Sequence, residues 1–228
     1  IVSASNDGTI RIWDIKSGAE LSRFDEHAGP VRALDLSVGG GRLLSGGDDQ
    51  IMRLWDLDAG KLLYEFKVNN PVTDVALFND GRQALCGSGS FVGWWVGRES
   101  AWRKGGWMPL PTSVASLAPA ADGRHALFGP LGGNVFVWDW RRKQVIHRLI
   151  GHAGPILDLQ ALEGNRWVTA SADRSVWLWD YQRNLELARF QDHRDRVEAV
   201  AVSDDGQWIV SGGGWHPGSR RPRGHDDF

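Results

Sequence analysis

The chain contains 228 residues with a formal net charge of −2 at pH 7 and one cysteine, Cys86, so its length permits one or two domains with a sizeable core. The near-neutral charge gives no electrostatic reason to expect a nucleic acid or an anionic membrane surface as a partner. A single cysteine excludes an intramolecular disulfide, and no apolar run approaches the ~20 residues that a membrane-spanning helix requires.

A tryptophan recurs about every 41 residues, at Trp13, Trp55, Trp95, Trp138 and Trp179. A histidine follows the same period, because His27 and His152 are separated by 125 residues, or three repeats, and His193 comes 41 residues later. Self-similarity at a fixed period of this length predicts a repeat fold. We therefore expect units at approximately 1–26, 27–69, 70–111, 112–151 and 152–192, with a partial unit at 193–213.

Each unit is predicted to contain four strands and no helix. The complete copy at 151–182 and the residues after it show alternating segments at 156–159, 167–171, 175–179 and 185–190, a pattern typical of short strands. Between the first and second strands, three units carry an Asp-Gly pair, at Asp80-Gly81, Asp122-Gly123 and Asp205-Gly206. This pair favours the primed turns that match the twist of a hairpin.

The third and fourth units depart from the pattern. The third has Cys86 where a hydroxyl is expected and runs on through a Trp-rich connection that we interpret as a long loop, whereas the fourth has Phe128 and Gly132 in place of a hydroxyl and an Asp. Repeat arrays tolerate such members because each unit is stabilised by stacking on its neighbours.

The sequence begins at Ile1 inside a second strand, and the sixth unit stops after its second strand. The final residues are rich in Gly, Pro and Arg, a composition typical of loops or disorder. We therefore expect residues 1–213 to be a segment of a larger repeat array and residues 214–228 to be a disordered or non-native tail. No signal peptide is visible, so the compartment is left open and the cytoplasm is the default expectation.

Polar residues recur at fixed distances before the periodic tryptophan. Two sets are complete: His27, Ser45, Asp49 and Trp55, and His152, Thr169, Asp173 and Trp179. Two sets are partial: Ser3, Asp7 and Trp13 in the first unit, and His193 with Ser211 in the last. An indole N–H, an imidazole and a carboxylate cannot all be buried without partners, so these residues are expected to bond to one another.

The chain resembles the WD-repeat β-propeller family in the segments SASNDGTIRIWD, SGGDDQIMRLWD and TASADRSVWLWD. Short segments such as GHAGPI are similar to those of its bacterial members. The resemblance implies an all-β propeller with about five four-stranded blade periods, as an incomplete ring truncated at both ends. It also implies that each complete set forms a buried hydrogen-bond chain from Asp to His, from His to hydroxyl, and from hydroxyl to indole.

A catalytic interpretation of the same residues is disfavoured. A His-Asp-Ser/Thr triad needs one exposed nucleophile beside an oxyanion hole, but these residue types recur in several units and no G-x-S-x-G elbow is present. The segment GSGSFVG lacks the spacing of a phosphate loop, and His216, His225, Asp226 and Asp227 match no metal-ligand spacing. We therefore expect no enzyme activity, no metal and no cofactor.

The expected function is a non-enzymatic scaffold for protein partners, with neither nucleic acid nor membrane involved. The resemblance places partners on the face that carries Asn6, Asp48, Arg194 and Arg196. A second candidate surface is the Trp-rich loop with Trp94, Trp102 and Trp107, because Trp and Arg dominate interface hot spots. The alternatives are a small-molecule sensor or enzyme using the central channel or the loop 94–107, and docking to a ubiquitin-ligase adaptor through Trp138-Asp139-Trp140-Arg141.

Overall fold

The computed structural model describes residues 1–78, 81–98, 101–203 and 205–214, and every regular element in these ranges is a β-strand. The expected all-β architecture is therefore confirmed, and no part of the described chain forms a helix with the length and apolar character needed to cross a bilayer. The predicted tail lies outside the described residues from position 215 onward.

The strands form six antiparallel sheets in chain order. The first sheet contains β1 (Val2–Ala4), β2 (Ile10–Trp13) and β3 (Glu20–Phe24). The second contains β4 (Val31–Leu36), β5 (Arg42–Gly47), β6 (Ile51–Asp56) and β7 (Lys61–Lys67). The third contains β8 (Val72–Leu77), β9 (Gln83–Ser88), β10 (Phe91–Arg98) and β11 (Ala101–Pro109).

The fourth sheet contains β12 (Val114–Pro119), β13 (His125–Pro130), β14 (Val135–Asp139) and β15 (Gln144–Leu149). The fifth contains β16 (Ile156–Ala161), β17 (Arg166–Ser171), β18 (Val176–Asp180) and β19 (Leu185–Phe190), which confirms the four strands predicted for the complete copy. The sixth contains β20 (Ala199–Val202) and β21 (Ile209–Gly212).

Consecutive sheets stack face to face. The inner strands β4, β8, β12, β16 and β20 contact one another in that order, and a hydrophobic cluster lies between each neighbouring pair of sheets. Leu44 and Trp95, for example, pack between the second and third sheets. The result is a radial, propeller-like stack whose described sheets do not close into a ring.

Small residues on the second strand of a sheet allow this close stacking. A Cβ atom at Gly129 would lie 2.6 Å from Cβ of Ile156, the first residue of the next inner strand, and one at Gly87 would lie 2.9 Å from Val114 Cγ1. Real Cβ atoms do not approach so closely, so glycine sets the distance between these sheets.

The Trp-rich connection of the third unit is not a loop, as the sequence suggested, but the two long strands β10 and β11. Gly93 and Gly97 on β10 leave space that Trp107 and Trp102 fill from β11: Cβ atoms at the two glycines would lie 2.6 and 2.7 Å from the indoles. Cross-strand filling of this kind stabilises a pair whose glycines alone would weaken it.

The Asp-Gly turns also differ from the expected type. Gly81, Gly123 and Gly206 have positive φ of 59°, 62° and 65°, whereas Asp122 and Asp205 do not. A type I′ turn needs positive φ at both central residues, so these described turns are not of that type and the prediction is wrong. Asp80 lies outside the described residues.

Candidate functional site

The second sheet brings together its complete polar set. The Trp55 Nε1–H donates to Ser45 Oγ over 2.8 Å, and Ser45 Oγ lies 2.8 Å from His27 Nε2. On the other side of the ring, His27 Nδ1 lies 2.9 Å from Asp49 Oδ2. Every group in this chain has a partner when neutral His27 carries its proton on Nδ1 and accepts the Ser45 hydroxyl proton on Nε2.

The fifth sheet repeats this geometry with its own set. The Trp179 Nε1–H donates to Thr169 Oγ1 over 2.9 Å, Thr169 Oγ1 lies 2.8 Å from His152 Nε2, and His152 Nδ1 lies 2.8 Å from Asp173 Oδ2. Register explains the recurrence, because Trp179 is paired with Trp167, two residues before Thr169, across β17 and β18. Chain spacing and strand pairing thus place the indole beside the hydroxyl.

The electrostatics of these chains suit a structural role. Burial lowers the pKa of His27 and of His152, so both rings are neutral at pH 7. Burial also acts to raise the pKa of Asp49, but hydrogen bonds from Arg53 and His27 outweigh it and the net pKa is lowered. Ser45 and Thr169 are both fully buried, so neither hydroxyl is accessible to a substrate.

The residues that flank the two chains are different. In the second sheet, Arg53 is 4% exposed and bonds Asp49 over 2.6 Å and Glu65 over 2.8 Å. The equivalent residue in the fifth sheet is Trp177, whose ring lies tilted against His152 at a centroid distance of 4.6 Å and is covered by the Arg189 guanidinium at 3.6 Å. A buried salt bridge in the second sheet and a cation–π contact in the fifth sheet therefore occupy equivalent positions.

The partial sets are only partly connected. The Trp13 Nε1–H donates to Ser3 Oγ over 2.8 Å, and His193 Nε2 lies 2.7 Å from Ser211 Oγ. Asp7 instead accepts from the backbone and side chain of its neighbour Thr9. These contacts hold Asp7 in its local turn, as the Ser175 N–H and Oγ–H hold Asp173 Oδ1 in the fifth sheet.

The fourth sheet has lost this chain altogether. Phe128 occupies the position of the hydroxyl, and the buried Trp138 Nε1 has no hydrogen-bond partner among the described residues. In the third sheet, Cys86 takes the hydroxyl position, where burial raises the pKa of its thiol. Aromatic packing takes over here, with Trp94 and Trp138 in an edge-to-face contact at 4.8 Å.

The predicted partner-binding residues fall into two separate places. Asn6 and Asp48 are joined by Arg32, which bonds Asp48 over 2.6 and 2.9 Å and Asn6 over 3.3 Å. Arg194 is exposed in the segment before β20, and the neighbouring Arg196 pairs with Glu198. Arg32 was not among the residues that the sequence predicted for this face; it is the second residue of the inner strand β4.

Trp94, Trp102 and Trp107, the predicted second surface, do not form a free aromatic patch. Trp94 is 8% exposed, Trp102 is half-buried against Phe66 at 5.6 Å, and Trp107 is half-buried against Trp95 at 5.5 Å. The expectation of an exposed Trp-rich loop is corrected by this placement, because strand pairing turns the rings onto their own and neighbouring sheets. Binding through these residues stays a prediction.

Three aspartates that the sequence reading missed join neighbouring inner strands. Their Oδ2 atoms accept backbone N–H groups of the next sheet: Asp35 from Leu77 at 2.6 Å, Asp74 from Leu117 at 2.7 Å, and Asp158 from Val200 at 2.8 Å. Burial raises the pKa of Asp35 to about 6 and that of Asp74 to about 7. The repeat period could have identified these aspartates in the sequence, since Asp35 and Asp74 are 39 residues apart and Asp158 lies two repeats later.

These aspartates line a cavity of about 390 Å³ between the inner strands, the region suggested for a small molecule. Each carboxylate already accepts backbone hydrogen bonds, so the cavity presents structural groups rather than a converging catalytic set. Among the residues that the structure describes, no three His, Cys, Asp or Glu side chains are arranged to hold a metal ion. The histidines and aspartates of the tail lie outside those residues.

A family model described as "WD domain, G-beta repeat" matches residues 1–14, 18–56, 143–180 and 185–216. The chain is 27% identical over 229 residues to eukaryotic translation initiation factor 3 subunit I of Bombyx mori, in an alignment covering 94% of this chain and 69% of that protein. The same subunit of Drosophila willistoni is 26% identical, with 94% and 70% covered. These relatives are eukaryotic and give no support to a specifically bacterial resemblance.

Proposed function

Because this chain belongs to the family of the WD domain, G-beta repeat, we propose that it is a non-enzymatic scaffold that binds protein partners within a translation-initiation assembly. The observation that carries this proposal is the alignment with subunit I of initiation factor 3 over 94% of the chain. A scaffold acts by holding other proteins on its surfaces, so its function depends on the residues that those surfaces present.

The use of polar residues supports a scaffold rather than an enzyme. The His, Asp and Ser/Thr side chains that would suit hydrolysis are engaged with one another, and the Ser45 and Thr169 hydroxyls are buried. An acyl-transfer enzyme needs an exposed nucleophile next to an oxyanion hole. The chain therefore offers rigid surfaces rather than a reaction centre.

We propose the group formed by Asn6, Arg32 and Asp48 as one contact surface for a partner. The Arg32 guanidinium is held in place by a two-point contact with Asp48 but is still 46% exposed. An arginine oriented in this way loses little conformational freedom when it binds a carboxylate or a carbonyl of a partner.

Affinity capture with the tagged protein tests both the proposed assembly and the proposed contact surface. We expect other subunits of initiation factor 3 to co-purify in constant ratio, and recovery of the protein without any such subunit would contradict the assembly. Arg32→Glu should reduce the recovery of at least one subunit. Arg23→Glu is the matched control, since Arg23 is 48% exposed and also pairs with one carboxylate, but lies on the outer strand β3. Equal recovery with both variants would refute the contact surface and leave the assembly intact.

A further inference from the structure

We infer that a small pocket in the third sheet binds a proline-rich segment of a partner protein in the polyproline II conformation. The pocket has a volume of about 130 Å³ and is lined by Asn69, Asn70, Ser88, Phe91 and Trp107. It is separate from the contact surface proposed above, which belongs to the first and second sheets. The inference rests on the proposed function only in taking the partner to be a protein.

The pocket borders the positions at which the third sheet lacks the polar chain. Val68 stands at the position of His27, and Gly93 stands at that of Arg53. The turn between β9 and β10 is one residue shorter than the turn between β5 and β6 and contains no carboxylate equivalent to Asp49. The two lining asparagines follow the valine, the lining indole covers the glycine, and the lining serine and phenylalanine flank the shortened turn. The pocket is therefore a consequence of the missing polar groups.

Two aromatic rings form a corner of the pocket. Phe91 and Trp107 are nearly perpendicular, at 81° with their centroids 6.4 Å apart. The Trp107 ring is held by its own sheet, because a Cβ atom at Gly93 would lie 2.6 Å from its Cζ3 and Trp95 meets it edge to face at 5.5 Å. Phe91 is 40% exposed. One wall is thus fixed and the other is open to solvent, so an apolar group can enter a site that is already formed.

The size of the pocket restricts the group that enters it. A cavity of about 150 Å³ holds one benzene molecule, and this pocket of about 130 Å³ is slightly smaller. The pyrrolidine ring of proline is smaller than benzene and is rigid, so it fits this volume. A pyranose with its hydroxyl groups, or an indole, is larger than benzene and does not. The volume therefore favours proline over a sugar or a large aromatic side chain.

The polar side of the pocket supplies hydrogen-bond donors. The side-chain amides of Asn69 and Asn70 have no hydrogen-bond partner among the described residues, whereas the Asn70 carbonyl accepts from Ser88 Oγ over 2.8 Å. Each free amide offers two N–H groups. A proline-rich backbone presents mainly carbonyl acceptors, because proline has no N–H group and the polyproline II helix has no internal hydrogen bonds. The two amides therefore match the backbone of such a segment.

The pocket does not suit other modes of peptide binding. Phe91 lies on β10, which is paired with β9 on one side and β11 on the other, so a partner strand cannot be added there. None of the five lining residues is charged, and Lys104 lies over the Trp107 ring at 5.1 Å without lining the pocket. A preformed polyproline II segment needs neither a strand edge nor a charge, and it loses little conformational entropy on binding.

Fluorescence anisotropy with the whole protein tests this inference. The probe is a labelled peptide of about twelve residues built from the repeat Pro-Pro-Ala-Pro, which favours the polyproline II conformation. The matched peptide has alanine in place of every proline, and glucose serves as a competitor. We expect saturable binding of the proline peptide with a dissociation constant below about 1 mM, at least about fivefold weaker binding of the alanine peptide, and no displacement by glucose.

The first variant removes the donors without changing the size of the side chains. Asn69→Asp combined with Asn70→Asp replaces each NH₂ group with an oxygen that repels a peptide carbonyl, so affinity for the proline peptide should fall about tenfold or more. The control combines Asn134→Asp with Asn184→Asp, which makes the same change in net charge in turns of the fourth and fifth sheets. It should change affinity less than about twofold.

The second variant removes the open aromatic wall. Phe91→Ala should weaken binding of the proline peptide about fivefold or more, since aromatic anchors dominate small binding sites. Phe190→Ala is its control, because Phe190 is 47% exposed on β19 and lies outside the pocket. Circular dichroism verifies that all four variants are folded.

The inference is overturned by any of four results: no saturable binding of the proline peptide to the wild-type protein, equal affinity for the alanine peptide, displacement by glucose, or unchanged affinity in either pocket variant relative to its control. None of these results bears on whether initiation-factor subunits are captured, so this inference can fail while the proposed function stands.

Discussion

The hydrogen bond made by the periodic indole can be isolated because one sheet lacks it. Trp55 and Trp138 occupy equivalent positions and are 0% and 1% exposed, but only Trp55 has an acceptor for its Nε1–H. Replacing each tryptophan with phenylalanine removes the same atoms from two equally buried sites. The loss of packing therefore lowers the free energy of unfolding by a similar amount in both variants. The remaining difference in free energy between the variants reports the contribution of the indole N–H group.

The expected difference follows from the two environments. Trp55→Phe breaks a hydrogen bond worth about 1 kcal/mol and leaves Ser45 without its indole donor. Trp138→Phe breaks no such bond and removes a buried N–H that has no partner, whose desolvation costs about 1–3 kcal/mol. Trp55→Phe should therefore lower the free energy of unfolding by about 2 kcal/mol or more beyond the effect of Trp138→Phe.

Urea unfolding followed by far-ultraviolet circular dichroism measures this difference without relying on the altered tryptophans. Equal m-values in both variants would show that the same surface is exposed on unfolding. Trp179→Phe serves as a second example, since the Trp179 indole donates to Thr169 over 2.9 Å. If Trp138→Phe proves as destabilising as the other two, the polar chains do not contribute to stability in the way argued here.

Two further predictions concern the contacts between sheets. Because burial raises the pKa of Asp74 from 3.8 to about 7, folding takes up a proton in this window, and stability is lost as the pH rises through 7. In the wild-type protein, the free energy of unfolding should fall by on the order of 2–3 kcal/mol between about pH 5 and about pH 8, and Asp74→Asn should abolish this fall. Urea unfolding at several pH values measures the effect, with Asp58→Asn at an exposed turn as the control. An unchanged dependence of stability on pH in Asp74→Asn would contradict the prediction. Gly129→Ala should cost about 1–3 kcal/mol, because its Cβ would lie 2.6 Å from Ile156, whereas Gly132→Ala, whose Cβ meets only Thr112 Oγ1 at 3.9 Å, should leave the melting temperature unchanged.

The features that the sequence predicts well are those fixed by neighbouring strands. In the fifth unit, alternation indicates all four strands, and the ten-residue spacing between Thr169 and Trp179 spans one hairpin. The pairing of β17 with β18 brings these two side chains to 2.9 Å. Local pattern and local geometry agree here, so the distance between functional atoms follows from residue spacing.

The features that the sequence does not predict depend on contacts between distant parts of the chain. Gly93 and Gly97 reduce the strand signal of β10, and the space that they leave is filled mainly by the rings of Trp107 and Trp102 from β11. Asp74 looks like an ordinary polar residue on an alternating strand, but it accepts a hydrogen bond from Leu117, 43 residues later. Such contacts need the stacking of whole sheets to be known first.

The irregular third and fourth sheets show how the stack is held together where the polar chain is incomplete. Cys86 and Phe128 remove the hydroxyl from the polar chain, and the third and fourth sheets are held together instead by aromatic contacts such as Trp94 with Trp138. The family model skips residues 57–142, where this exchange occurs. The stack therefore continues through the sheets in which the repeat pattern is weakest, because aromatic packing takes the place of the polar chain there.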